Sequence, residues 1–308
     1  MHVLITGAAG FVGSALARKL LAEAHESGAS VTLLDITLDQ PSQSGARAVE
    51  GSFADRTVLR EAMSDGVDTV YHLASIPGGA AERDHELGKR VNLDGTLELI
   101  HLCAAQSRPA RFVFASSVAV YGEKLPAQMD ETASCKPATS YGAHKQIGEI
   151  ALADAVRRGR LTGCSLRLPG VVARPQGNSG LVSAFMSDIF WALRAGQPIT
   201  IPVSRTATAW WISRECCVDN LLRAGTAEAG NLRVPTYQMP VLRLSMEEVL
   251  AALAARFGAQ WSDLVTFEPD ARIEALFGSY PVLRTPEAEV AGFRNDGTVE
   301  ELVNRVFG

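Results

Sequence analysis

The sequence predicts an α/β protein, with a doubly wound parallel sheet followed by a smaller, partly interleaved α/β lobe. Over the first 170 residues, short apolar runs rich in β-branched side chains alternate with longer helical patterns. Strands that alternate with helices in this way are typical of a parallel sheet covered on both faces. After Pro169 the alternation breaks, and prolines at 175, 198 and 202 mark loops. We therefore expect a core and a lobe of different organisation.

The boundaries of the predicted elements follow from these patterns. The strands cover residues 2–6, 31–35, 46–50, 69–73, 111–115 and 163–168, and the helices between them cover 10–26, 57–63, 89–106 and 141–157. Further helices are predicted at 181–195, 214–224, 245–257 and 299–307. We predict a nucleotide-binding core over residues 1–170, to which 205–225 returns, and a substrate-binding lobe made of 171–204 and 226–308.

The composition predicts a cytoplasmic protein without a nucleic-acid or membrane surface. Of 308 residues, 47% are hydrophobic, and the net charge is -5 with Lys and Arg scattered rather than clustered. The apolar runs are too short to span a bilayer, and the first residues lack a signal-peptide pattern. The five cysteines, at 103, 135, 164, 216 and 217, form no CxxC pair or metal-like cluster, so we expect free thiols and no metal site.

A glycine-rich turn separates the first predicted strand from the first predicted helix. Gly7, Gly10 and Gly13 allow a tight turn, a close approach of the backbone to a pyrophosphate, and close packing of helix on strand. The predicted helix over 10–26, whose first turn contains Phe11 and Val12, would offer its unpaired N–H groups to the phosphates. Glycines alone are weak evidence because loops in general are rich in glycine. A strand before this turn and a helix after it favour a Rossmann-type dinucleotide site.

Asp35 indicates which dinucleotide binds. It ends the second predicted strand, 22 residues past Gly13, close to the spacing expected for an acid that binds a ribose. A carboxylate there accepts from both ribose hydroxyls and repels a 2′-phosphate, so NAD is favoured over NADP. The alternative is an ordinary turn residue at a strand end, which the preceding glycine turn makes the weaker interpretation.

Tyr141 and Lys145 form a YxxxK pattern that can carry acid–base chemistry. Four residues apart on a helix, the phenol and the ammonium lie on one face. A phenol with a pKa of about 10 is a poor base at neutral pH, and a neighbouring ammonium stabilises its phenolate. Ser117, at the end of the fifth predicted strand, can bind the hydroxyl of a substrate. Alone, YxxxK also fits an ordinary helix with a surface lysine, but the ordered combination with the glycine turn and Asp35 favours catalysis.

Taken together, these motifs resemble the extended short-chain dehydrogenase family. The resemblance runs from Val3 to about Val172 and rests on TGAAGFVG (6–13), VYHLAS (70–75), VNLDGT (91–96), FASSVAVYG (114–122) and YGAHK (141–145). It implies a catalytic group of Ser117, Tyr141 and Lys145, with Asn92 shaping its helix and relaying water. It also implies that Lys145 binds the nicotinamide ribose.

The same resemblance implies further cofactor contacts and a partner. The contacts fall on Ser52, Phe53, Leu73, Ala74, Leu168, Pro169 and Val171. The family often carries an acid at position 52 that contacts adenine, so Ser52 predicts weaker cofactor binding. Family members pair two helices per subunit into a dimer interface, which predicts a homodimer through helices 89–106 and 141–157, with Leu93, Leu97, Ile100, Ile147 and Ile150 as candidate contacts.

A narrower resemblance concerns the substrate. The segments HLASIPGGAAE (72–82), TSYGAHKQIGE (139–149), LRLPGVVARP (166–175) and IPVS (201–204) are similar to a subfamily that oxidises a hydroxyl of short sugar acids such as D-erythronate to a ketone. Residues 175–179 depart from that subfamily, which carries a basic residue there.

A sugar-acid carboxylate needs cationic or amide donors, for which Arg174 is the first candidate and Asn178 and Ser75 are further partners. Arg174 could instead hold a loop. We expect Arg167 to be structural, His72 to be a satisfied core histidine, and His144 to take no part in catalysis. Trp210 and Trp211 either wall the pocket or simply pack.

Three functions fit these residues. The first is an NAD-dependent dehydrogenase for a small hydroxy acid. The second is a nucleotide-sugar 4-epimerase, which uses the same catalytic group, keeps its NAD bound, and needs room for a nucleotide. The third is a non-catalytic NAD-sensing protein. Sensors of that kind usually lose the tyrosine or the lysine, and the segment after Pro169 is small for a nucleotide. The sequence therefore favours the first function.

Overall fold

The computed structural model describes residues 1–38, 45–177, 182–228, 230–258 and 261–308. The strands in these ranges are β1 (His2–Thr6), β2 (Ser30–Asp35), β3 (Ala46–Glu50), β4 (Thr69–His72), β5 (Ala110–Ser117), β6 (Gln128–Asp130), β7 (Leu161–Leu168), β8 (Gly170–Val172), β9 (Ile199–Ile201), β10 (Thr208–Ser213), β11 (Thr236–Gln238), β12 (Leu242–Ser245), β13 (Val265–Phe267) and β14 (Val282–Arg284).

The helices in the same ranges are α1 (Phe11–Ser27), α2 (Arg56–Ala62), α3 (Gly78–Arg83), α4 (His85–Gly88), α5 (Thr96–Ala104), α6 (Ser140–Arg157), α7 (Phe185–Ala195), α8 (Arg214–Thr226), α9 (Met246–Phe257), α10 (Ala271–Phe277), α11 (Pro286–Val290) and α12 (Val299–Phe307). A π-helical turn, Lys89–Gly95, leads into α5, and short 3-10 turns cover Val118–Tyr121 and Trp261–Asp263. None of the helices described is both long and apolar enough to cross a membrane.

Seven parallel strands form the central sheet, in the order β11-β7-β5-β4-β1-β2-β3. Both faces are covered: α1 and α8 pack on one face around Leu16 and Leu221, and α2, α5 and α6 pack on the other around Leu59, Leu99 and Leu152. The predicted doubly wound sheet is therefore confirmed. The strand order reverses between β1 and β4, and ligands of such sheets bind beyond the carboxyl ends of the strands at that reversal.

The predicted elements match the structure closely in the core, with one informative difference. The predicted helix 89–106 is not α-helical throughout, because Lys89–Gly95 widens into a π-helical turn before α5. Asn92 lies in this turn, and its backbone oxygen accepts a hydrogen bond from the Thr96 hydroxyl at 2.9 Å. A π turn often marks a functional position, because it re-aims one side chain within an otherwise regular helix.

The second part of the chain has its own core and its own small sheet. Strand β10 pairs with β12 and β8, and α7, α9 and α12 pack around Trp211, Phe190 and Leu250. Strand β11 falls in the region predicted as lobe, yet it pairs with β7 at the edge of the central sheet. Strand β11 lies there because its backbone hydrogen-bonds to the free edge of β7. The division of residues 1–308 into a core and a lobe stays a prediction.

Candidate active site

A cleft of about 980 Å³ lies beyond the carboxyl ends of the central strands, between the sheet and the second core. Most predicted site residues line it: Gly7, Gly10, Phe11, Val12, Gly13, Leu73, Ser75, Ser117, Tyr141, Lys145, Leu168, Pro169, Val171 and Arg174. Asp35, Ser52, Phe53, Ala74 and Asn92 do not line it, and Asn178 lies outside the described residues. The fold thus brings the glycine turn and the YxxxK pair to one cavity.

The glycine turn has no room for side chains at its first and last glycines. Gly7 has φ +73°, and a Cβ there would lie 2.7 Å from the Ala74 nitrogen. A Cβ on Gly13 would lie 1.9 Å from the Gly7 oxygen. Helix α1 starts after Gly10, which supplies no side-chain cap, so its first N–H groups remain available at the cleft. This bare helix start fits the pyrophosphate of a dinucleotide.

Asp35 lies directly beside this turn. Its Oδ2 accepts from the Ala9 N–H at 2.9 Å, and its Oδ1 accepts from the Ile36 N–H at 2.7 Å. The turn itself therefore fixes the direction of the carboxylate, which keeps lone pairs for two ribose hydroxyls. This donor and acceptor set fits an NAD ribose.

The residues expected near the adenine end have other partners in the structure. The buried Phe53 ring packs edge-on to His72, with ring centres 5.0 Å apart. Ala74 contributes its backbone to the packing against Gly7. The Ser52 hydroxyl accepts from the Ala54 N–H at 3.2 Å and so stabilises its own turn.

Tyr141 lies at the centre of the polar end of the cleft. The hydroxyls of Ser75 and Ser117 lie near its phenol, and the Arg174 guanidinium lies close enough to act on it electrostatically. Burial raises the pKa of Tyr141, while the two hydroxyls and Arg174 lower it. Ser75 and Arg174 lie in loops and Ser117 ends β5, and each of the three favours the phenolate.

Lys145 is buried one turn further along α6. Its Nζ donates to the Ala115 carbonyl at 2.7 Å and lies 5.6 Å from the centre of the Tyr141 ring. Burial lowers the pKa of Lys145 to about 7, and the Glu149 carboxylate opposes that shift. An ammonium at this distance stabilises a neighbouring phenolate.

Asn92 and the histidines have structural partners. The Asn92 side chain accepts from the Ile76 N–H at 2.7 Å and donates to the Ile76 carbonyl at 3.0 Å, which fixes the loop that carries Ser75. His72 is paired on both ring nitrogens with the hydroxyls of Thr6 and Thr96, as expected of a satisfied core histidine. His144 is buried and packs against His85.

Hydrogen bonds fix the backbone of Arg174, and its side chain lines the cleft. Its N–H donates to the Ser187 hydroxyl at 3.0 Å, and its carbonyl accepts from the Trp191 indole. The guanidinium lies 5.0 Å above the Phe11 ring, and no hydrogen-bond or ion-pair partner for it occurs among the described residues. Arg174 therefore presents a cation between the glycine turn and Tyr141.

The cleft also contains residues that the sequence analysis did not single out. Arg83 from α3 and Arg272 from α10 add cations, Glu82, Glu123 and Asp188 add carboxylates, and Tyr280 adds an aromatic ring. Tyr280 packs against Trp210, which the sequence analysis named as a candidate wall of the pocket and which does line the cleft. No motif links α3 to α10, so only the fold reveals that they share a cavity. Across the described ranges, no group of three His, Cys, Asp or Glu side chains could hold a metal ion.

Residues 3–230 match the model of the NAD dependent epimerase/dehydratase family. The chain belongs to this family. Membership confirms the family resemblance and the predicted cofactor, NAD, for which the glycine turn and Asp35 provide a fitting site.

Two relatives named as dehydrogenases match nearly the whole length of this chain. It is 36% identical to D-erythronate dehydrogenase from Cupriavidus necator over 98% of the chain and 97% of the relative. It is 28% identical to D-erythronate dehydrogenase from Haemophilus influenzae over 99% and 98%. A solved nucleoside-diphosphate-sugar epimerase from Agrobacterium tumefaciens superposes with a TM-score of 0.90 at 29% identity, covering 98% of this chain and 92% of that one.

Proposed function

We propose that the protein is a cytoplasmic NAD-dependent dehydrogenase that oxidises a secondary hydroxyl of a small sugar acid, similar to D-erythronate, to a ketone. The observation that carries the proposal is that Tyr141, Ser75, Ser117 and Arg174 line one cleft together with the glycine turn. Relatives that match nearly the whole chain are D-erythronate dehydrogenases.

In this proposal the residues of the turn hold the cofactor. The N–H groups at the start of α1 would bind the pyrophosphate, Asp35 would bind the adenosine ribose, and Lys145 would bind the ribose at the nicotinamide end. When bound, NAD supplies the hydride acceptor. Leu168 and Pro169 line the cleft beyond β7, where they exclude water from the reacting carbon.

The protein's own groups handle the proton. The substrate hydroxyl binds between Ser117 and Tyr141, and the Tyr141 phenolate accepts its proton as the C–H bond breaks. The Lys145 ammonium lowers the free energy needed to form the phenolate. The Arg174 guanidinium binds the carboxylate through two parallel hydrogen bonds and so aims the neighbouring carbon.

The direct test is turnover of C4 to C6 sugar acids with NAD, each paired with the polyol of the same length and stereochemistry. We expect NADH formation with at least one acid and much weaker turnover of its polyol, since the polyol lacks the carboxylate. Absence of NADH formation with every acid would refute the proposal.

A nucleotide-sugar 4-epimerase is the second candidate, favoured by the close superposition with the solved epimerase. It would interconvert a nucleotide sugar without net formation of NADH. Assaying UDP-sugars for epimer formation in the same experiment separates the two functions.

Asp35→Ala tests the choice of cofactor. The unmodified enzyme should prefer NAD over NADP by kcat/KM, because the Asp35 carboxylate repels a 2′-phosphate, and the variant should lose most of that preference. Charge repulsion at such a contact is worth several kcal/mol, so we expect the preference to fall by about tenfold or more. Equal use of NADP by the unmodified enzyme would contradict the assignment.

Ile150→Glu tests the predicted homodimer. Ile147 and Ile150 project from α6 and are 41% and 62% exposed, whereas Ile100 is buried in the core and is not available for contacts between subunits. We expect a dimeric mass in solution that Ile150→Glu converts to a monomer, since it would bury two carboxylates across an isologous interface. Val290→Glu, at a 66% exposed position on α11, is the matched control and should stay dimeric. A monomeric unmodified protein at micromolar concentration would contradict the prediction.

A further inference from the structure

A buried polar network lies directly behind Lys145. The Glu149 Oε1 accepts from the Ser116 hydroxyl at 2.5 Å and from the Arg167 Nε at 2.9 Å, and its Oε2 accepts from the Arg167 Nη2 at 2.7 Å. Arg167 also donates to the Tyr121 hydroxyl at 3.0 Å. Glu149, Arg167 and Ser116 are each at most 9% exposed.

This network joins three elements that build the candidate active site. Ser116 precedes Ser117 at the end of β5, and Arg167 precedes Leu168 at the end of β7. Glu149 is four residues after Lys145 on α6, so both project from one face of the helix. Taking a charged pair out of water costs about as much as the pair regains, so such a network is a weak source of stability.

We propose that Glu149 is a positioning residue of the reaction, whose charge favours the ammonium form of Lys145 while its hydrogen bonds fix the ends of β5 and β7. The role of Lys145 in catalysis rests on the proposed function, but the effect of Glu149 on Lys145 does not.

The charges around Lys145 make this effect specific. The titratable groups that face Lys145 or its partners come from every element around it: Tyr141 and Glu149 on α6, His72 on β4, Arg167 on β7, Tyr121 in the 3-10 turn, Cys135 in the loop before α6, and Arg174 across the cleft. His72 is buried, and burial holds its pKa well below the usual range, so it carries no charge at neutral pH. Within the described residues, Glu149 is the carboxylate that opposes the loss of the Lys145 proton.

The titration of Lys145 can be measured directly, because the chain has five lysines, at 19, 89, 124, 136 and 145. Protein labelled with ¹³C at lysine Cε gives five signals, and Lys145→Met identifies the one of interest. We expect a midpoint near 7 in the unmodified protein and a midpoint lower by about one unit in Glu149→Gln, which keeps the shape of the side chain and removes its charge. At pH 7 the ammonium fraction of Lys145 would then fall from about one half to about one eleventh, so kcat should fall roughly fivefold.

Tyr121→Phe is the matched control. It removes one hydrogen bond of the same network and leaves every charge in place, so the Lys145 midpoint should not move even if thermal stability falls. An unchanged Lys145 midpoint in folded Glu149→Gln would overturn the proposal.

If Glu149→Gln does not fold, Arg167→Met decides the question. It removes the cation that competes for Glu149, so the Lys145 midpoint should rise, and a fall or no change would overturn the proposal. The titration needs neither substrate nor NAD. A protein that turns over no sugar acid would therefore refute the proposed function while leaving this result intact.

Discussion

Tyr141→Phe should lower the turnover of the sugar acid by about 10²–10⁴-fold, the range typical of lost acid–base catalysis. The change removes one oxygen, the atom that accepts the substrate proton, and keeps the ring that packs against Gly78 and Lys145. Cofactor binding should survive, because the glycine turn and Asp35 do not contact the phenol. The measurements are kcat with NAD and the Kd for NAD by titration.

The control for this prediction is Tyr237→Phe, which removes a phenol outside the cleft. Tyr237 accepts hydrogen bonds from the N–H groups of Arg233 and Val234, so its loss should lower Tm and leave kcat near the native value. A near-native kcat in Tyr141→Phe would show that another group accepts the proton.

The core fold was readable from the sequence because its strands are buried on both faces. Such strands contain continuous apolar runs, as in β1 and β5, and the helices between them cover both faces of the sheet. The predicted strands at 2–6 and 46–50 coincide with β1 and β3. Strand β11 was missed because three residues at a sheet edge carry too little periodicity to be recognised.

The candidate site was only partly readable, for a different physical reason. The glycine turn, Asp35 and YxxxK are local patterns whose spacing encodes their geometry. The grouping of Ser75, Arg174 and Arg272 around one cleft depends instead on how segments that are far apart in the chain pack together. The network of Glu149, Arg167 and Ser116 likewise joins elements that are far apart in the chain. A structural role for Arg167 could be predicted from its place in a strand, but its partner Glu149 could not.

Arg174 lies where its cation could serve either the pyrophosphate of NAD or the carboxylate of the substrate. Its guanidinium lies 5.0 Å from the Phe11 ring at the pyrophosphate turn, and it also acts on the Tyr141 phenol at the reacting end. A cation that served the pyrophosphate would govern NAD binding, whereas one that served the substrate would govern binding of the acid. The loop-holding role is met by its backbone, which Ser187 and Trp191 already bind.

Arg174→Lys should therefore raise KM for the sugar acid by roughly 10- to 100-fold and leave the Kd for NAD unchanged, because a lysine keeps the charge but cannot form two parallel bonds to a carboxylate. Arg214→Lys is the matched control: its guanidinium lies 5.2 Å from the same Phe11 ring and pairs with Glu215, so the change should leave KM for the acid unaltered. Weaker NAD binding in Arg174→Lys would assign the guanidinium to the pyrophosphate. If the unmodified enzyme oxidises polyols as fast as the matching acids, no carboxylate contact drives catalysis, whatever the variant does.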